Sequence, residues 1–79
     1  MSFKLTVVSP EKIIWRGDAH QLTAPGADGE LTVLGNHEPL ITSLKKGKLL
    51  IRAEEGKMEE ISIKAGMLEI SHNQATVLL

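Results

Sequence analysis

Turn-forming residues interrupt this chain about every 8–10 residues, and between them apolar and polar side chains alternate with a period of two. That rhythm leaves little room for anything but short β-strands. No window keeps a period of 3.6 through three turns, as an amphipathic helix would require. Residues 45–51 carry apolar side chains that also fit one helix face, but Gly47 and the alternation of Leu49 with Ile51 favour a strand. The punctuation predicts nine strands, over residues 3–7, 12–16, 19–24, 30–34, 40–44, 48–52, 58–64, 67–70 and 75–79. Such spacing is that of an all-β sandwich or barrel with mostly antiparallel neighbours.

The alternation also predicts faces. Phe3, Leu5 and Val7 point to the core, as do Leu31 with Val33, and Ile61 with Ile63, while Ile13 and Trp15 share one face of their strand. Glu30 falls on the polar side of its strand and Val33 on the core side. Ser9-Pro10-Glu11 breaks the first strand, because proline has no N–H for a ladder. Gly17-Asp18 reads as a turn, as do Lys45-Lys46-Gly47, Glu54-Glu55-Gly56-Lys57 and His72-Asn73. Pro39 restricts Glu38 to extended backbone, so residues 35–39 read as a loop. The chain ends on Leu78-Leu79. An apolar end so abrupt implies either a cut chain or a terminal strand in the middle of a sheet.

Seventy-nine residues without repeats, linkers or low-complexity segments predict one domain over residues 1–79. With no cysteine there is no disulfide and no thiolate metal site. Packing alone, or packing with a partner, must hold so small a core. Phe3 and Trp15 are the only aromatic side chains, too few for base stacking, and 9 basic against 10 acidic residues set up no field for a phosphate backbone. Nucleic acid is therefore not an expected partner. No apolar run approaches the ~20 residues of a membrane span, and the first residues lack the apolar centre of a secretory signal.

The residues with chemical potential find local explanations. His20, His37 and His72 are spaced too widely for the close pairs that zinc favours, and each fits a strand surface, a loop or a turn. No Gly-x-Ser-x-Gly elbow surrounds Ser9, Ser43, Ser62 or Ser71. Glu54/Glu55 and Glu59/Glu60 flank one hairpin and read as a solvated, aggregation-resistant edge. Gly26-x-x-Gly29 lacks the Gly-Lys-Ser/Thr of a phosphate loop; its glycines suit a tight connection. No catalytic residue, metal or cofactor is expected. Residues 24–42 nevertheless hold three of the seven glycines, two of the three prolines and one histidine around a single short strand. A turn alone accounts for the glycines and prolines; a protein-docking loop is the alternative reading.

Taken together, the pieces resemble the N-terminal β-sandwich domain of the ε subunit of F-type ATP synthase, the mitochondrial δ. Leu5-Thr6-Val7-Val8-Ser9-Pro10-Glu11 is similar to that family's opening strand and its break. Gly29-Glu30-Leu31-Thr32-Val33-Leu34 followed by His37-Glu38-Pro39-Leu40-Ile41-Thr42 resembles its Gly-x-Leu…His-x-Pro-Leu-[Ile/Leu]-Thr signature. Leu44-Lys45-Lys46-Gly47, Gly66-Met67-Leu68-Glu69-Ile70 and Ala75-Thr76-Val77-Leu78 resemble its later turn and strands.

The resemblance implies a flattened sandwich of about ten strands. It implies a non-catalytic place in the central stalk, bound to the γ subunit and standing on the c ring, coupling ion-driven rotation to ATP synthesis in the α/β hexamer. The complex would lie peripherally on the cytoplasmic face of a bacterial inner membrane, or on an organelle membrane. Carried over by position, Glu30, with Asp28 beside it, falls at the c-ring loops. Ser9, His37 and Thr42, with Pro39 and Leu40, fall at γ. The chain departs from the family at Gly35-Asn36, where members usually place a proline before the histidine, and the loop is expected to be looser there. The family's C-terminal helical hairpin has no counterpart in these residues, so hairpin-based inhibition of ATP hydrolysis is not expected. The alternative function is a small all-β adaptor that binds a peptide or protein along a sheet edge.

Overall fold

In the computed structural model, which describes residues 1–79, every regular element is a strand. There are eight: β1 (Phe3–Val8), β2 (Ile13–Gly26), β3 (Gly29–Leu34), β4 (Leu40–Leu44), β5 (Gly47–Ala53), β6 (Met58–Ile63), β7 (Gly66–Ser71) and β8 (Gln74–Leu78). The all-β expectation is met, with one strand fewer than the punctuation predicted.

The lost boundary is Gly17-Asp18. Local propensity marks these residues as a turn, yet they lie inside β2, a strand of 14 residues. Tertiary contacts explain the difference. Leu5 pairs with Gly17 and Lys4 with Asp18 across the β1–β2 ladder. A Cβ on Gly17 would lie 3.1 Å from the Trp15 ring, so the missing side chain makes room for the indole. Asp18 takes an ion pair from Lys4 Nζ at 3.1 Å on the outer surface.

β2 is long because it serves two layers. Its first half pairs with β1, from Ile13 to Ala19. The second half pairs with β3 from Gln21 to Gly26 and with β5 from Ala19 to Thr23. At His20 the register to β5 slips by one residue. A bulge of this kind bends a strand and raises its twist, carrying the chain from one sheet to the other. One layer is therefore β4-β7-β8-β1-β2 and the other β3-β2-β5-β6, with a single bridge, Gly26 to Leu44, closing the seam. β8 is parallel to β1 and lies between β1 and β7, so the terminal strand does occupy the middle of a sheet. The whole measures 28 × 24 × 19 Å, flattened as two sheets about 10 Å apart dictate.

Fifteen buried apolar residues form one core between the layers. Phe3, Leu5, Val7, Val33 and Ile63 are among them, and Leu31 and Ile61 pack against its margin, as the alternation predicted; Trp15 packs there too. Ile13 does not join Trp15 on the inside. The β1–β2 register slips between Val7 and Val8, which turns Ile13 outward, opposite Val8. The β2–β3 connection is only two residues long. A Cβ on Gly26 would meet the Gly29 carbonyl oxygen at 2.6 Å, and Gly29 holds φ +134°, so both glycines are required by the turn.

Val33 is 1% exposed and its neighbour Thr32 is exposed. Val33→Asp places an unpaired carboxylate in the core and should cost about 3 kcal/mol or more, enough to unfold so small a domain. Thr32→Asp should change stability by no more than about 0.5 kcal/mol. Urea denaturation of both variants distinguishes the two faces.

Candidate protein-docking site

The β4-β7-β8-β1-β2 layer turns its second face to solvent, and its registers assemble that face in rows. Ser43, Met67, Leu78, Val8 and Ile13 are successive cross-strand partners. The adjacent row is Ile41, Glu69, Thr76, Thr6 and Arg16, and beyond it Ser71, Gln74, Lys4 and Asp18 follow from β7 to β2. The first row is thus almost wholly apolar although it faces outward. Ile41 is 67% exposed, Ile13 49% and Leu78 48%, and Met67 is also exposed. Isolated exposed apolar side chains are ordinary, but a continuous apolar row across four strands, with Ile41 beside it in the next row, marks a surface built to be covered.

At one end of β4 the chain runs through residues 35–39. Pro39, Leu40 and Ile41 line one side of a shallow hollow of about 430 Å³, and Glu69, Ile70 and Ser71 line the other. His37 Nδ1 donates to the Glu38 carbonyl at 2.7 Å, which closes the loop on itself. Asn36 adopts φ 61°, a left-handed conformation that asparagine tolerates better than most residues. Its backbone N–H donates to Asn73 Oδ1 at 2.7 Å. The Gly35-Asn36 segment is thus tied down, not loose, because a side chain replaces the constraint a proline would have given.

Asp28 and Glu30 sit at the opposite end of β3. The Ala27 N–H donates to Ser43 and the Lys45 N–H to Pro25, each to a backbone carbonyl, so this turn stands beside the β4–β5 turn. Both carboxylates are exposed, and neither takes part in the two ion pairs of the chain, Lys4–Asp18 and Lys48–Glu60. They are free to meet cationic groups on a partner.

The residues singled out in the sequence therefore fall on two rims. Ser9 follows β1, where its hydroxyl and N–H meet Lys12 and where the Leu79 N–H donates to the Val8 carbonyl. From there the rim continues through Gly66 and Leu44 to Gly26 and the Asp28 turn. His37 and Pro39 lie on the other rim, the length of β4 away, roughly 15 Å. Ser9 and His37 are not neighbours; the apolar face lies between them. Leu40 and Thr42 are half-buried, and their positions pair with Ile70 and Leu68 in inward rows, so both support the face from beneath, Leu40 packing against the core. Ile41, Met67, Leu78 and Ile13 were missed in the sequence. Their signal was a large apolar residue at a position where the alternation calls for a polar one. Another open cleft, about 450 Å³, lies beside Trp15, Arg16, Asp18 and Glu54 and takes in none of the singled-out residues.

Comparison with known proteins is consistent with this arrangement. The family model of the β-sandwich domain of the ATP synthase Delta/Epsilon chain matches residues 2–79. The ATP synthase epsilon chain of a Nitratiruptor species is 42% identical over 78 residues, covering 99% of this chain and 60% of its own length. That of Pelotomaculum thermopropionicum is 43% identical over 75 residues, covering 95% of this chain and 55% of its own. The chain thus spans less than two thirds of these relatives. A chain in the cryo-EM structure of the Euglena gracilis mitochondrial ATP synthase (OSCP/F1/c-ring) superposes with TM-score 0.90 at 23% identity, over 98% of this chain and 49% of its own. One in the Tetrahymena thermophila mitochondrial ATP synthase (central stalk/c-ring) gives 0.78 at 16% identity, over 95% and 60%. At such identities the likeness is one of fold.

The inward and outward assignments on β7 are directly testable. Met67→Ala should alter stability by about 0.5 kcal/mol or less, whereas Leu68→Ala, at a fully buried position, should cost about 2–5 kcal/mol. Thermal or urea unfolding of the two variants measures the contrast.

Proposed function

This chain belongs to the family of ATP synthase Delta/Epsilon β-sandwich domains, and from that premise we propose that it is a non-catalytic rotor element of the F1Fo complex. In this reading it docks on the γ subunit through the apolar row and meets the c-ring loops through Asp28 and Glu30. It thereby helps couple ion-driven rotation to ATP synthesis in the α/β hexamer. Membrane association comes only through the complex, at the cytoplasmic face of a bacterial inner membrane.

The observation that carries this reading is the outward-facing row Met67–Leu78–Val8–Ile13, exposed except at the half-buried Val8, with exposed Ile41 beside it. Covering side chains that are already half-shielded contributes roughly 1 kcal/mol each. A rim ion pair contributes only ~0–1 kcal/mol. The apolar face therefore supplies most of the affinity for γ, with Ser9, His37 and Pro39 bordering it and setting orientation. The carboxylates at the other turn supply orientation against the ring.

Co-purification with γ tests the proposal. The wild-type chain should bind γ, and Ile41→Glu, at an exposed position, should keep its fold and lose at least about tenfold in affinity by placing a charge under the partner. Glu30→Ala should fold normally, bind γ as wild type does, and impair coupling in the assembled enzyme. A folded wild-type chain that does not bind γ would dismiss the reading.

A further inference from the structure

Residues 35–39 receive almost no support from backbone hydrogen bonding. They lie outside every strand, and none of the eight backbone–backbone bonds beyond the ladders involves them. The hydrogen bond that ties the loop's backbone to the rest of the molecule runs to a side chain, that of Asn73.

Asn73 belongs to the two-residue turn between β7 and β8. His72 and Asn73 hold φ 52° and 58°, the left-handed pair of a type I′ hairpin. In that turn the Asn73 carboxamide reaches two other segments. Its Oδ1 accepts the Asn36 N–H at 2.7 Å, and its Nδ2 donates to the Ser2 carbonyl at 3.0 Å. Both halves of the amide are used, and each is matched to a partner of the required kind. Secondary contacts gather around this knot. The His20 ring, at the bulge of β2, donates from Nδ1 to the Met1 carbonyl at 3.2 Å. Asn36 Nδ2 approaches Met1 Sδ at 3.5 Å, and a Cβ on Gly35 would lie 3.2 Å from Met1 Cβ. Four stretches distant in sequence, around residues 1–2, 20, 35–36 and 73, are thereby joined.

We propose that Asn73 is a positioning residue for the docking face: without touching the partner, it holds the Gly35-Asn36 segment so that His37, Pro39 and Leu40 are already in place when γ arrives. The inference rests on the rotor reading for its partner. Ordering a loose loop on binding subtracts from affinity, and a loop that is ordered beforehand avoids that loss. It also explains how the chain dispenses with a proline before His37.

Two substitutions test it. Asn73→Gly preserves the left-handed turn and removes the carboxamide; Asn73→Asp keeps an acceptor for Asn36 and loses the donor to Ser2. Amide hydrogen exchange, measured on the chain alone, should show Asn36 exchanging about tenfold faster or more in Asn73→Gly. The core amides of Leu22 and Ile51 should keep their protection, which a mere loss of stability would not allow. The dissociation constant for purified γ should rise about five- to tenfold in Asn73→Gly, the effect of about one hydrogen bond. Asn73→Asp should restore most of the Asn36 protection and most of the γ affinity. Unchanged Asn36 exchange in Asn73→Gly overturns the latch, whatever γ does. Faster exchange with unchanged affinity overturns its role in docking. If wild-type chain fails to bind γ while the exchange effect holds, the rotor reading falls and the docking role with it.

Discussion

The architecture depends on one strand belonging to two sheets. β2 runs without a break from Ile13 to Gly26, and the register slip at His20 lets its halves face different neighbours. Because the chain passes between layers inside a strand, no loop has to cross the core with unpaired backbone groups. The seam at the far end is equally economical. Gly26 meets Gly29 in the hairpin and Leu44 across the layers. No side chain fits at that crossing, so a residue with a Cβ there would push the two sheets apart. Closing the sheet in this way also limits its free edges, which a small all-β domain must manage to stay soluble.

Much of this was legible in the alternation of side chains, since a period of two states which residues face inward without reference to what they pack against. What failed was local turn chemistry read in isolation. Gly17-Asp18 is as good a turn signal as Gly56 or Asn73 when only neighbours in sequence are considered. The deciding facts were the Trp15 ring lying over Gly17 and Lys4 reaching Asp18, both of which require the fold first. Ile13 failed for a related reason: a slip of one residue between Val7 and Val8 reverses the face, and nothing in the local sequence announces it.

The candidate site divides along the same line. Proline, glycine and histidine crowding pointed to residues 24–42, and the structure resolves that stretch into two turns on opposite rims with β3 between them. The docking face itself is a product of pairing. Met67, Leu78, Val8 and Ile13 come from four strands, and the parallel contact of β8 with β1 brings the last strand beside the first. Each of these residues, taken alone, is only an apolar side chain out of phase. The row exists once registers are set, and registers depend on hairpin turns such as His72-Asn73 as well as on hydrophobic pattern.

An apolar row on an outer face invites aggregation, and its placement limits that risk. Met67, Leu78 and Val8 lie on inner strands of the layer, each paired on both sides, so that part of the row offers no template for adding a foreign strand; only Ile13 lies on the outer strand, the first half of β2. The row next to it carries Glu69 and Arg16, and the one beyond carries the Lys4–Asp18 pair, so charged side chains border the apolar row on three of its four strands. The free edge at β6 is guarded differently: Glu59 and Glu60 are exposed there, and like charges oppose edge-to-edge contact between copies. A surface guarded in this manner resists self-association through strands while leaving its apolar centre open to a partner with a matching apolar patch. That selectivity fits a component that must remain folded and dispersed until the structure it belongs to is assembled around it.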